Sequence, residues 1–236
     1  YQLVHRARVF KDLFRYEESV KDYEQYIKII SIKNTNELAS DDYLDALSEV
    51  EFIYSTRGDT KNEYKYLKLR YEIIQQYNKS NLNLQAKINR QIGYHYQSTN
   101  QYDKAITHFD LTLGYVKRSL ENNSSYSNKK KLFADKEMAL LGKLDAEQSI
   151  KQDLSQYKKV HSIMLSMNDE LELLDKSTTA FTILDTYYSL INDYEQRKIN
   201  LNNAKELVEK QIEEAKKIDS WLLKIFINDK RNLMFD

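Results

Sequence analysis

The sequence has no cysteine and no proline, and only four of its 236 residues are glycine. Without cysteine there is no disulfide framework, no thiolate nucleophile and no cysteine-ligated metal, and the redox compartment stays open. Without proline, and nearly without glycine, the chain lacks the residues that interrupt helices and build tight turns, which favours long helices. No apolar run approaches the ~18 residues that cross a bilayer, and the mean hydropathy is −0.72. There is no excess of either charge, with 36 basic and 36 acidic side chains. That balance, with no recognition motif, argues against nucleic-acid binding by this stretch. The triplet Lys129-Lys130-Lys131 reads as a solvated helix start.

Motifs of chemistry are missing as well. There is no glycine-rich phosphate loop, no GxSxG elbow and no HExxH metal pair. The four histidines, His5, His95, His108 and His161, are scattered. Neighbouring carboxylates such as Glu17-Glu18 and Glu213-Glu214 point in different directions on a helix and are poorly placed to share acid–base work. The expectation is a chain that is not an enzyme and needs no cofactor and no metal.

What is present has helical period and many aromatics, 19 of them tyrosine. Apolar spacing and polar breaks predict helices over about 2–13, 16–32, 41–57, 60–77, 82–99, 102–121, 129–151, 154–167 and 169–190. Leu201, Ala204, Val208, Ile212, Ala215 and Ile218 continue the spacing, and Trp221, Ile225 and Phe226 add an apolar patch near the end. Ser40 before Asp41-Asp42 is a helix start, and Gly58 is a helix stop. The polar run Asn122-Asn123-Ser124-Ser125-Tyr126-Ser127 is the strongest loop signal; it either separates two subdomains or lies within one array. Charge is uneven: residues 1–60 carry 8 basic and 12 acidic side chains, residues 61–120 carry 10 and 4. Such polarity suits a partner surface or a set of solvated helix faces.

One pattern recurs. Gly93, Tyr96, the turn Asn100-Gln101, Tyr102, Ala105 and Phe109 alternate small and aromatic residues at helical spacing on either side of a turn. Ala7, Phe10, Tyr16, Ser19 and Tyr23 repeat the register upstream. Tyr54 and Gly58 mark a weaker copy between them, with Glu63 a misfit at its small helix-B position. This pattern resembles the tetratricopeptide repeat (TPR), in which two helices cross at small residues and an aromatic fills the space between them. The copies are about 42–44 residues apart, longer than the nominal repeat of about 34, as expected of long helices. Beyond residue 129 the register fades, with Asp145, Tyr157 and His161 at the glycine, small and plug positions.

The resemblance implies an all-α, right-handed TPR-like superhelix, a solenoid of about five helical hairpins plus a C-terminal helix, as one domain over residues 1–236. The clearest repeats are 1–32, 41–78 and 82–121, and the divergent hairpins are 129–167 and 169–218. The last helix, 219–236, either caps the final open face or carries a signal or homodimer contact onward. The resemblance also implies a protein or peptide partner lying in the concave groove. Helix-A positions facing that groove would be Tyr1, Val4, His5, Arg8 and Lys11 in the first copy. In the second they are Asp45, Ser48, Glu49, Phe52 and Ser55, and in the third Lys87, Arg90, Gln91, Tyr94 and Gln97. The expected partner site is Asp45, Glu49, Phe52, Lys87, Arg90, Gln91, Tyr94 and Gln97. Lys87 and Arg90 would hold a carboxylate, Gln91 and Gln97 a peptide backbone, and Phe52 and Tyr94 side chains. Ser48 and Phe52 stand where a clamp for chaperone C-terminal tails needs other residues, so that clamp is not implied. The resemblance is to TPR sensor or scaffold regions of bacterial signalling or transcriptional regulators; a stand-alone adaptor or assembly factor is the alternative. The chain opens on Tyr1 with the pattern already running, as expected of a piece of a longer protein. Cytoplasm and periplasm both suit it.

Overall fold

The computed structural model describes residues 2–33, 38, 40–122 and 125–218. Tyr1 and the expected terminal helix, with Trp221 and Phe226, lie outside the described residues. Two compact units divide the chain, Tyr1–Ser124 and Ser125–Asp236. Among the described residues there are helices and no strands, and no helix is long and apolar enough to cross a membrane.

The first unit consists of six helices: α1 (Gln2–Asp12), α2 (Tyr16–Lys33), α3 (Asp41–Thr56), α4 (Thr60–Tyr77), α5 (Leu82–Ser98) and α6 (Tyr102–Glu121). Side-chain oxygens fix three of the starts by accepting orphan backbone N–H groups: Ser40 from Tyr43, Asp59 from Asn62 and Asn81 from Leu84. The α1/α2, α3/α4 and α5/α6 pairs form hairpins. One continuous core holds Val4, Ala7, Tyr23, Leu47, Val50, Ile53, Leu67, Ile74, Ile88 and Ile92. Of the register read from sequence, Ala7, Ser19, Tyr23, Gly93, Ala105 and Phe109 are buried, and Phe10, Tyr16, Tyr54, Tyr96 and Tyr102 are half-buried.

The hairpin turns are alike at backbone level. At Phe14, Gly58 and Asn100 the chain enters the left-handed region, with φ of 58°, 72° and 59°. In each case the next residue donates to the carbonyl five back: Arg15 to Phe10 at 2.8 Å, Asp59 to Tyr54 at 2.9 Å and Gln101 to Tyr96 at 2.8 Å. This paired closure of a helix end satisfies carbonyls that the helix leaves open. Glycine and asparagine suit that conformation; Phe14, 79% exposed, does not.

The second unit comprises α7 (Tyr126–Lys151), α8 (Ser155–Asp169), a short 3-10 turn (Leu173–Asp175), α9 (Thr179–Leu190) and α10 (Tyr194–Ile218). The same turn recurs between α9 and α10, with Asn192 at φ 56° and Asp193 donating to Tyr188 at 2.9 Å. Several expectations differ from what this unit shows. The helix expected from residue 169 begins at Thr179, because Asn168 acts like a length of backbone. Its amide donates to Ser177 O at 2.7 Å, and its carbonyl accepts from Ser177 N at 2.9 Å. Ser177 and Thr179 also donate to Glu137, while Gln211 on α10 donates to the carbonyls of Leu173 and Lys176. The last described helix starts seven residues before the first periodic residue, Leu201, with Asp193 accepting from Gln196 N. Similarly, α7 starts at Tyr126, inside the expected loop, capped by Ser125. Tyr157, read as a small-position occupant, is buried with its ring 6.3 Å from Tyr187, so it faces α9.

Candidate functional site

Where a repeat places small residues, the three hairpins of the first unit solve the helix crossing differently. In α5/α6 the crossing is apolar: Gly93, Ala105 and Phe109 are buried, and a Cβ on Gly93 would stand 2.7 Å from the Phe109 ring. In α1/α2, Ser19 hydroxyl donates to Ala7 O at 2.8 Å. In α3/α4 both places hold carboxylates, Glu51 in line with Ala7 and Gly93, and Glu63 in line with Ser19 and Ala105. Their side chains are only 10% and 14% exposed.

Each buried carboxylate has a basic neighbour. Arg70, 5% exposed at its side chain, brings Nη2 to 2.8 Å from Glu51 Oε2. The angle is not that of a hydrogen bond, so Glu51 Oε2 is left without a donor. Gln91 on α5 bridges the pair, accepting from Arg70 Nη2 at Oε1 and donating to Glu51 Oε1 at a long 3.4 Å. His95 Nδ1 lies 3.6 Å from Glu63 Oε1, and its ring stacks on Tyr64 at 4.5 Å. Tyr64 and Tyr96 share a hydroxyl hydrogen bond of 3.0 Å, and Tyr96 lies 5.5 Å from the His108 ring, whose Nδ1 pairs with Asn89 Oδ1 at 2.9 Å. Burial pushes His108 down.

Burial dominates the electrostatics. It pushes the Glu51 carboxyl up to about 7, against the pull of Arg70; repulsion from Glu63 adds to the rise and Lys87 opposes it. Burial also lowers Arg70, while Glu51 and Asp45 hold it charged and Arg90 pushes the same way as burial. A buried pair is stable only with good geometry and filled hydrogen bonds. The Glu51 end lacks both.

Arg70 and Gln91 face a small cleft between α3, α4 and α5, lined also by Leu44, Asp45, Ser48, Ile74 and Lys87. Its accessible space, about 40 Å³, admits a side chain or a few waters but no drug-sized molecule. Of the eight residues expected at the partner site, three line the cleft: Asp45, Lys87 and Gln91. Arg90 is half-buried and close enough to act on Arg70. The others are elsewhere engaged or apart. Glu49 pairs with Lys11 at 2.7 Å; Tyr94 packs edge-on against Phe109 at 5.2 Å; Gln97 is half-buried with its Oε1 lacking a donor. Phe52 is 56% exposed and outside the cleft lining. In the first copy Val4 is a core residue. Arg70 and Glu51 were not singled out by sequence. The signal was an arginine in the buried stripe Leu67, Ile73, Ile74 of α4, and a glutamate in the register of Ala7 and Gly93.

The second unit has a larger cleft, about 390 Å³, floored by Phe133, Met164 and Met167. Of the charged side chains that line it, Lys130 pairs with Asp175, Glu137 accepts from Ser177 and Thr179, and Lys176 lies alongside. The smaller cleft is the stronger candidate, because its arginine is buried beside a carboxylate whose Oε2 accepts no hydrogen bond. Among the described residues, no three His, Cys, Asp or Glu side chains converge in a way that could hold a metal ion.

No family model matches the sequence, and no curated protein matches it. Solved structures do match by fold. BtubC (BKLC) from P. vanneervenii superposes with a TM-score of 0.66 at 13% identity, over 87% of this chain and 78% of that one. A Podosopora anserina putative kinesin light chain with nearly identical TPR-like repeats gives 0.54 at 15% identity, over 93% and 96%. Both likenesses are of fold. By fold, this chain is an all-α TPR-type repeat protein.

Proposed function

We propose that the chain is a non-catalytic protein- or peptide-binding module whose partner engages the face formed by α3, α4 and α5. The observation that carries this is the cleft where Lys87, Asp45, Ser48 and Gln91 surround the buried Arg70. It is too small for a metabolite and suited to a partner's side chain. TPR-like folds commonly serve protein–protein contact, and this chain offers an exposed aromatic, Phe52, on the same helix. The setting we favour is the sensory or scaffold region of a bacterial signalling or transcriptional regulator, in keeping with the Asn-, Lys-, Ile- and Tyr-rich composition. A stand-alone adaptor or assembly factor is the other reading; the coding sequence flanking residues 1–236 separates the two. The test is affinity capture from the source organism's lysate with wild type and an Asp45→Lys/Lys87→Glu variant of equal melting temperature. The expected outcome is loss of a specific partner in the variant. An unchanged set of captured proteins would move the site off this face.

A further inference from the structure

We propose that the α3/α4/α5 cleft takes an acidic side chain, Asp or Glu, of the partner, and that Glu51 is the internal carboxylate it replaces on Arg70. This rests on the groove reading above and adds the partner's chemistry and a competitor built into the fold.

Arg70 and Lys87 line the cleft together with Asp45, Glu51 lies behind Arg70, and Arg90 is close enough to act on Arg70. Arg70 is buried, its side chain only 5% exposed, where a guanidinium needs a carboxylate neighbour. The neighbour it has is badly held: Glu51 Oε2 has no hydrogen-bond donor, and Oε1 has one long contact from Gln91. A carboxylate entering from the open side would meet Lys87 and Ser48 at the rim and Arg70 at the floor. Charge-assisted bonds to arginine are strongest when planar and paired, and Glu51 does not achieve that geometry.

Glu51 then gives way by taking up a proton. The groups facing it are Arg70 and Glu63 from α4 and Lys87 and Gln91 from α5, with His95 beyond Glu63. Ionised Glu51 competes with the ligand for Arg70; neutral Glu51 does not. Affinity for an acidic ligand therefore rises as pH falls through the titration of Glu51 and falls as pH rises. With a midpoint at about 7, one linked proton gives about a tenfold loss of affinity between pH 6 and pH 8. A ligand's own glutamates stay ionised over that range, their ordinary midpoint being about 4.3.

The test uses the fluorescently labelled peptide acetyl-Ala-Glu-Ala-Glu-Ala-Glu-amide, with its all-Gln counterpart as control, titrated by anisotropy at pH 6, 7 and 8 and constant ionic strength. Expected for wild type is binding at pH 6 that weakens about tenfold by pH 8, with the Gln peptide weaker throughout. Expected for Glu51→Gln is wild-type pH 6 affinity at every pH. A slope in the variant as steep as that of wild type overturns the role given to Glu51. Equal binding of the two peptides, or a flat wild-type profile, overturns this inference while the groove reading stands, and the wild-type profile needs no variant to fold. Binding of neither peptide to either protein at pH 6 overturns both.

Discussion

The second and third hairpins share one turn, one register and one core, yet their crossings are opposites. In α5/α6, glycine and alanine let the helices close onto Phe109, leaving no room for a Cβ at Gly93. In α3/α4, Glu51 and Glu63 stand at the corresponding places, and the crossing is held by Arg70, Gln91 and His95. The α9/α10 hairpin offers a third version. There the corresponding residues are Asp185 and Arg197, paired at 2.8 Å and more exposed. The backbone of the repeat thus tolerates an apolar, a buried ionic or a surface ionic crossing. Only the buried ionic one leaves charge incompletely answered beside an open cleft.

Truncating the apolar crossing has the largest expected effect. Phe109→Ala removes a fully buried ring and should cost about 4 kcal/mol in chemical denaturation. A loss below about 1 kcal/mol would mean that the ring is not what holds the crossing.

The ionic crossing should answer to pH instead. A carboxyl raised from 4.5 to about 7 contributes stability that is complete below the unfolded value and lost as pH rises through the folded one. Wild type should therefore lose up to about 3 kcal/mol relative to Glu51→Gln between pH 4.5 and 8. Parallel stability profiles of the two proteins would remove the distinction between the hairpins.

The turns permit finer tests. Phe14 holds the left-handed position that Gly58, Asn100 and Asn192 fill elsewhere, so Phe14→Gly should stabilise by about 1 kcal/mol. Ser40→Ala, which deletes the α3 cap, should cost about 1 kcal/mol. Asp185→Asn should be the mildest change, below about 1 kcal/mol in thermal melts, because the pair is half-exposed and screened by solvent.

Much of the first unit was legible because its signals are local. Small and aromatic residues at helical spacing, Ser40 before two aspartates and Gly58 at a stop each determine structure within one turn. The second unit was less legible because its irregular stretch is held by distant partners. Asn168 and Gln211 replace backbone hydrogen bonds over residues 170–178, and Tyr126 ties down the same stretch, with Glu172 N donating to its hydroxyl at 2.8 Å. None of these has a sequence period. The site divides the same way. Groove-facing spacing picked out Asp45, Lys87 and Gln91, which line the proposed cleft, but Arg70 lies on a helix B, and spacing alone cannot distinguish a buried arginine from a snorkelling one. Tyr94 looked like a docking aromatic and instead packs against Phe109.

The central claim is that the second hairpin buries a carboxylate whose bonds are incomplete. It is tested most directly by following the Glu51 side-chain carboxyl through a pH titration by carbon-13 NMR, with Glu51→Gln to assign the signal. The expected midpoint is about 7. A midpoint near the ordinary glutamate value of about 4.3 would mean that Arg70 satisfies Glu51 fully, and the cleft would have no unanswered arginine to offer a partner.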